Sequence, residues 1–211
     1  MAVELRSRLL TLEDYLELPE DNDLEREIIR GRLCMAPRPR VLHQHLLLEL
    51  AHLLRQHVLQ RDGHTIQVIL DADLLMDAQN TYLSPDLMYF PASAVPTLMD
   101  LMVREHRIHL LHACPDLVVE VLSAGSEARD LQEKRAVYEQ AGIPHYWVFD
   151  PRAPTFWEFV LDPERGEYEE HRHTGGQVQP RLFTDDQPSF TLDLTNLWPT
   201  HPEDGAVGDG R

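Results

Sequence analysis

Positive charge is scarce in this chain, and lysine is almost absent. Of nineteen basic residues only Lys134 is a lysine; the rest are arginines, set against thirty-six acids for a formal net charge of −17. That balance counts against a polyanionic partner, because binding nucleic acid means neutralising phosphates with cations. Cysteine is scarce too. Cys34 and Cys114 are far apart and neither belongs to a Cys-x-x-Cys pair, which argues against a structural zinc site and leaves two buried, reduced thiols as the expectation. No apolar run approaches the roughly 20 residues that span a bilayer. The opening Met1-Ala-Val-Glu-Leu-Arg6 lacks the apolar core of a secretion signal. A cytoplasmic protein with no membrane partner is the expectation.

What remains is ordinary for a globular protein: 43% hydrophobic and 26% charged residues over 211 positions. That length suits one domain, read here as residues 1–198, with a polar, Gly- and Pro-bearing tail over 199–211 expected to be disordered. The positive charge that exists is clustered. Arg26, Arg30, Arg32, Arg38 and Arg40 fall within fifteen residues, and the field in a cleft depends on local charge more than on the total.

Thr11 with Asp14 reads as an N-cap opening a short helix through Leu18. Pro19 to Asp23 reads as a turn. Arg26 to Cys34 reads as two short strands hinged at Arg30-Gly31. From Val41 to about Gln60 the pattern is helical, with Leu46, Leu50, Leu53 and Leu54 on one face. Short strands are expected at Thr65–Leu70, Leu74–Met76 and Leu87–Phe90, and residues 93–113 are ambiguous, with room for a helix. Leu117–Leu122 is an apolar run interrupted only by Glu120, as in a fully buried central strand. A helix over Glu127–Ala141 ends at Gly142. Strands follow at Tyr146–Phe149, Thr155–Leu161 and Tyr168–His173. The pattern is that of an α/β layered domain.

Three residues stand out chemically. Glu120 shares a strand face with Val118 and Leu122, where an isolated carboxylate is costly to ionise; it must be protonated, paired with a cation or bound to a metal. Lys134 lies with Leu131, Tyr138 and Ala141 on one helical face, opposite Arg129, Gln132, Glu133 and Ala136, and so points to the core. In a chain that uses arginine for generic charge, a lone lysine suggests that the compact ammonium matters. Asp86 stands at the entrance of a strand behind Pro85. Two carboxylates can hold a divalent cation that activates a phosphodiester, while an ammonium orients or deprotonates the attacking water and offsets charge on the phosphate.

At these residues the chain resembles a known family. The segments Arg26-Glu-Ile-Ile-Arg-Gly-Arg-Leu33, His43-Gln-His45, Ser84-Pro-Asp86, Pro115-Asp-Leu-Val-Val-Glu-Val-Leu-Ser123, Asp130-Leu-Gln-Glu-Lys-Arg-Ala-Val-Tyr138 and Gly142-Ile-Pro-His-Tyr-Trp-Val-Phe-Asp150 are similar to those of the Uma-type restriction endonucleases, within the PD-(D/E)XK nuclease superfamily. The resemblance implies an α/β (α+β) fold, a restriction-endonuclease-like mixed β-sheet flanked by helices. It implies Asp86 and Glu120 as the metal-binding acids, with the Val121 carbonyl as a further ligand, and Lys134, Glu27 and His43 as partners in catalysis. The chain departs from the superfamily pattern at one place: Leu122 stands where a lysine follows the second acid, and the family's lysine is displaced to Lys134. His43 shares its apolar helix face with Leu46, Leu50 and Leu54, where a histidine is either core or site; the other histidines read as surface residues.

The reading is therefore a Mg²⁺- or Mn²⁺-dependent endonuclease acting on DNA, with Arg38 and Arg40 on the substrate. Homodimerisation is suggested by the apolar, aromatic-bearing C-terminal strands and by the need of many nucleases for two sites. The alternatives are a catalytically inert binding or assembly module of the same fold and a metal hydrolase of a smaller phosphate ester, which the net charge suits better.

Overall fold

The computed structural model describes residues 9–17, 24–37, 40–63, 67–70, 72–76, 80–104, 114–183 and 189–199. The expected turn at Pro19–Asp23, Arg38 and the tail from residue 200 lie outside them.

The first helix, α1 (Leu12–Leu16), opens as expected on a capping box. The Thr11 hydroxyl accepts the Asp14 N–H, and the Asp14 carboxylate accepts the Thr11 N–H at 2.9 Å. Strands β1 (Leu24–Ile29) and β2 (Arg32–Pro37) form an antiparallel hairpin. Its two-residue turn has positive φ at both Arg30 and Gly31, as a primed hairpin turn requires. Gly31 is obligatory for a second reason: a Cβ there would come within 2.8 Å of both Leu9 and Asn80.

Helix α2 (Val41–Asp62) ends on Gly63 in the left-handed region. Leu46, Leu50 and Leu54 are fully buried along it, each worth roughly 2 kcal/mol of apolar burial. The strands β3 (Val68–Leu70), β4 (Leu74–Met76), β5 (Thr81–Leu83) and β6 (Leu87–Tyr89) follow, then α3 (Val95–Arg104), which lies in the stretch that sequence left ambiguous. β7 (Leu117–Val121) is buried at all five positions. Beyond it a π-helical turn (Arg129–Lys134) runs into α4 (Arg135–Ala141), which Gly142 ends. Next come β8 (His145–Asp150), β9 (Thr155–Asp162), β10 (Glu167–Thr174), β11 (Gln177–Val178), β12 (Leu192–Asp193) and α5 (Leu194–Leu197).

Six strands form the main sheet in the order β10-β9-β8-β7-β6-β3, with β7 and β8 parallel and the other neighbours antiparallel. A second sheet runs β2-β1-β5-β4. Alternation along the central strands divides the core in two. Val119, Val121, Trp147 and Phe149 pack against α2 and α5 on one side. Val118, Tyr146 and Val148 pack with Val137 and Tyr138 of α4 and with Ile29, Leu74 and Leu83 of the second sheet on the other.

Three sequence expectations are corrected. Cys34 is half-buried and Cys114 exposed, so the thiols are free but not core. His57 is not a surface residue: it is buried on α2, with its ring 4.6 Å from that of Phe183. The helix expected over Glu127–Ala141 is wound as a π turn in its first half, which changes which residues face inward.

Candidate active site

The register of the main sheet brings the two acids together. Leu87 pairs with Val119 in the antiparallel β6–β7 ladder, so one step further along the same register Asp86 stands opposite Glu120. Asp86 Oδ2 accepts the Val121 N–H at 2.7 Å. Both acids line one narrow cleft, with Glu25, Glu27, His43, Ser84, Val121, Ser123, Arg129, Asp130 and Lys134 around them. Its free volume of about 20 Å³ is room for about one water molecule or ion.

Lys134 is the hub. Its ammonium lies 2.7 Å from Glu120 Oε1, 2.8 Å from Glu27 Oε1 and 3.9 Å from Asp130 Oδ1, and only 2% of the residue is exposed. The inward lysine read from periodicity is thus where the sequence placed it. Burial works against its charge, but Glu120, Glu27 and Asp130 outweigh that and raise its pKa. The three carboxylates therefore favour its ammonium form.

Glu120 accepts from Lys134 and from the Tyr138 hydroxyl at 3.0 Å, both on Oε1. Burial drives its pKa well above the usual carboxylate range; Lys134 opposes, and Asp86, Asp130 and Glu27 add to the rise. Glu27 is fixed on β1 by Lys134 and by the Ser84 N–H at 3.2 Å. His43, at the start of α2, places Nε2 3.2 Å from Asp86 Oδ2. Burial lowers its pKa, but the hydrogen bond and charge of Asp86, then Glu25 and the Val121 carbonyl, turn the balance upward. All five residues expected at the centre thus border one cleft. Arg40 lines the cavity beside it.

Two neighbours escaped the sequence reading. α-Helical periodicity put Arg129 on the outer face and did not single out Asp130. The wider π turn brings both to the cleft: Asp130 is 2% exposed, and Arg129 Nε lies 3.3 Å from Asp130 and 4.0 Å from Glu27. The available signal was an acid four residues before the only lysine, a spacing that pairs on a helix.

Among the described residues, no group of three or more His, Cys, Asp or Glu side chains is arranged to hold a metal ion. The donor chemistry nevertheless suits one hard cation. Five carboxylates crowd the cleft against one lysine and one arginine, and among the described residues the hydrogen bonds of Glu120 fall on Oε1, leaving Oε2 uncommitted. A magnesium-like ion binds through one or two carboxylates and keeps several waters, so Asp86, Glu120 and the Val121 carbonyl would suffice.

A family model described as "Putative restriction endonuclease", the Uma2 family, matches residues 12–195. The chain belongs to this family. Among solved structures, a protein described as "a putative nuclease belonging to DUF820" from Anabaena variabilis is similar at 20% identity with a TM-score of 0.66, over 90% of this chain and 97% of that one. That likeness shows a shared fold, a mixed β-sheet flanked by helices. No curated protein matches the chain. Among the described residues, no helix is long and apolar enough to cross a membrane.

Proposed function

We propose that this Uma2-family chain hydrolyses phosphodiester bonds of DNA with the help of Mg²⁺ or Mn²⁺, and that Asp86, Glu120 and Lys134 are its central residues. The observation that carries the reading is the buried Lys134 beside Glu120 and Glu27, with Asp86 across the strand pair. A bound divalent ion would supply Lewis-acid polarisation of the phosphodiester and charge neutralisation. Asp86 and Glu120 would hold it, with the Val121 carbonyl. His43 donates from Nε2 to Asp86 and fixes the orientation of that carboxylate. Lys134 keeps positive charge beneath the acids and offsets negative charge as it builds on the phosphate. Glu27 holds Lys134 from the second sheet. Arg40, and Arg38 beside it in sequence, would meet the flanking phosphates.

The net charge of −17 favours a second reading, a smaller phosphate ester as substrate. One experiment addresses both. Supercoiled plasmid is incubated with protein and Mg²⁺ or Mn²⁺, with the Asp86→Asn variant as control. Nicking by the wild type alone is the expected result. Hydrolysis of a chromogenic phosphodiester without plasmid nicking favours the smaller substrate, and no hydrolysis of either leaves an inert module of this fold.

A further inference from the structure

Beside the acid cleft lies a second cavity, of about 200 Å³, which shares His43 and Ser123 with it. Its character is the opposite. Leu42, Leu122, Ala124 and Pro151 give it apolar walls, and Arg40 and Arg152 give it cationic edges. Leu122, 1% exposed, follows the acid Glu120 by two positions; an ammonium there would have made this wall polar. Arg152 is not a loose side chain. Its guanidinium meets Asp150 through Nε at 2.9 Å and Nη2 at 3.1 Å, and Glu127 at 3.6 Å.

We propose that this cavity receives one unstacked nucleobase of the nucleotide whose phosphate lies at Asp86 and Glu120. The inference rests on the nuclease reading of the cleft and sharpens it: the substrate is single-stranded nucleic acid or a duplex opened at the cleavage position. Three observations support it. The volume is below the roughly 300–1,000 Å³ of pockets that take drug-sized ligands, so it suits one ring system and not a base pair. Apolar walls with arginines at the edge suit an extruded base, which packs between apolar side chains and beside guanidinium groups. The shared His43 and Ser123 put the cavity one side chain from the acids, as a base lies beside its own phosphate.

The test compares two phosphodiesters with the same p-nitrophenyl leaving group in Mn²⁺: the thymidine 5′-ester and the methyl ester, which lacks a base. The expected result is a KM about tenfold lower for the thymidine ester, within the range that a stacked base contributes. In Ala124→Trp, which fills the cavity from an exposed turn, and in Arg152→Ala, the ratio of the two KM values falls towards one. Equal KM values in the wild type, or a preference that Ala124→Trp leaves intact, overturn the proposal while the nuclease reading stands. Binding of thymidine monophosphate, followed by the methyl resonances of Leu122 and Ala124, gives a readout independent of turnover. Affinity about tenfold above that of deoxyribose phosphate supports the cavity as a base site even if neither ester is hydrolysed. No difference between the two ligands overturns it.

Discussion

Lys134 in the π turn and Glu27 on the β1 hairpin meet at 2.8 Å, a buried ion pair between the second sheet and the segment that crosses from β7 to β8. The same ammonium serves Glu120 at 2.7 Å. In Lys134→Met the methionine stem fills the same space but supplies no cation. Removing the cation leaves Glu27, Glu120 and Asp130 buried together, and breaking a buried pair from one side costs about 3 kcal/mol or more. Lys134→Met is expected to lose cleavage and, in urea unfolding at pH 7, roughly that much stability. Lys134→Met with Glu27→Gln regains part of the stability and none of the activity. An unchanged unfolding midpoint for the single variant contradicts this account.

Asp86→Asn is expected to separate chemistry from fold. The amide oxygen still accepts the Val121 N–H that Asp86 Oδ2 holds at 2.7 Å, and one negative charge leaves a crowded cleft. Stability should change by less than about 1 kcal/mol. Mn²⁺ binding, read by titration calorimetry, should weaken, and plasmid nicking should disappear. Full nicking by the variant removes Asp86 from the site.

His145 supplies a pH dependence remote from the acids. Burial alone lowers its pKa from 6.5 to about 4, and its Nδ1 is buried with no hydrogen-bond partner among the described residues. The unfolded chain therefore binds a proton that the folded chain refuses as pH falls from about 6.5 to about 4. Stability drops through that window and is insensitive to this group above it. The loss is on the order of 2 kcal/mol. In His145→Asn this part of the acid-side slope should vanish when unfolding free energies are compared at pH 7 and pH 4.5. Parallel curves for the two proteins refute it.

Arg40 lines the cavity beside the cleft. If phosphates pass there, Arg38→Ala and Arg40→Ala should weaken DNA binding for all sequences and reduce the slope of log K against log salt by roughly one per arginine. Fluorescence anisotropy over a salt series measures it. An unchanged slope means that the strand takes another path.

Most of the main sheet was legible because its strands are apolar runs between turn signals, and Leu117–Val121 with Glu120 in its midst is hard to read otherwise. The Arg30-Gly31 turn and the Thr11 cap were legible from local chemistry. β5 was not: Thr81-Tyr-Leu83 is too short to show a period, and its place depends on β1 and β4 at either side. The inward lysine was legible because both 3.6-residue periodicity and the π turn bury it. Asp130 and Arg129 were not, because only the wider turn brings them in. The Asp86–Glu120 pairing needed register, which no local pattern supplies.

The parallel pairing of β7 with β8 also sets when this site can exist. A parallel pair needs a crossover, and here the crossover is the helical segment that carries Asp130 and Lys134. During synthesis, a chain that has emerged only as far as Cys114 holds Glu27, His43 and Asp86 but neither Glu120 nor the lysine that reconciles them. Non-local strand pairing is slow to form compared with helices and hairpins. Asp86 and Glu120 can meet once β7 joins β6, but Lys134 reaches them only when the crossover docks as β8 closes onto β7, so a chain cut short before Lys134 holds the acids without the cation that balances them.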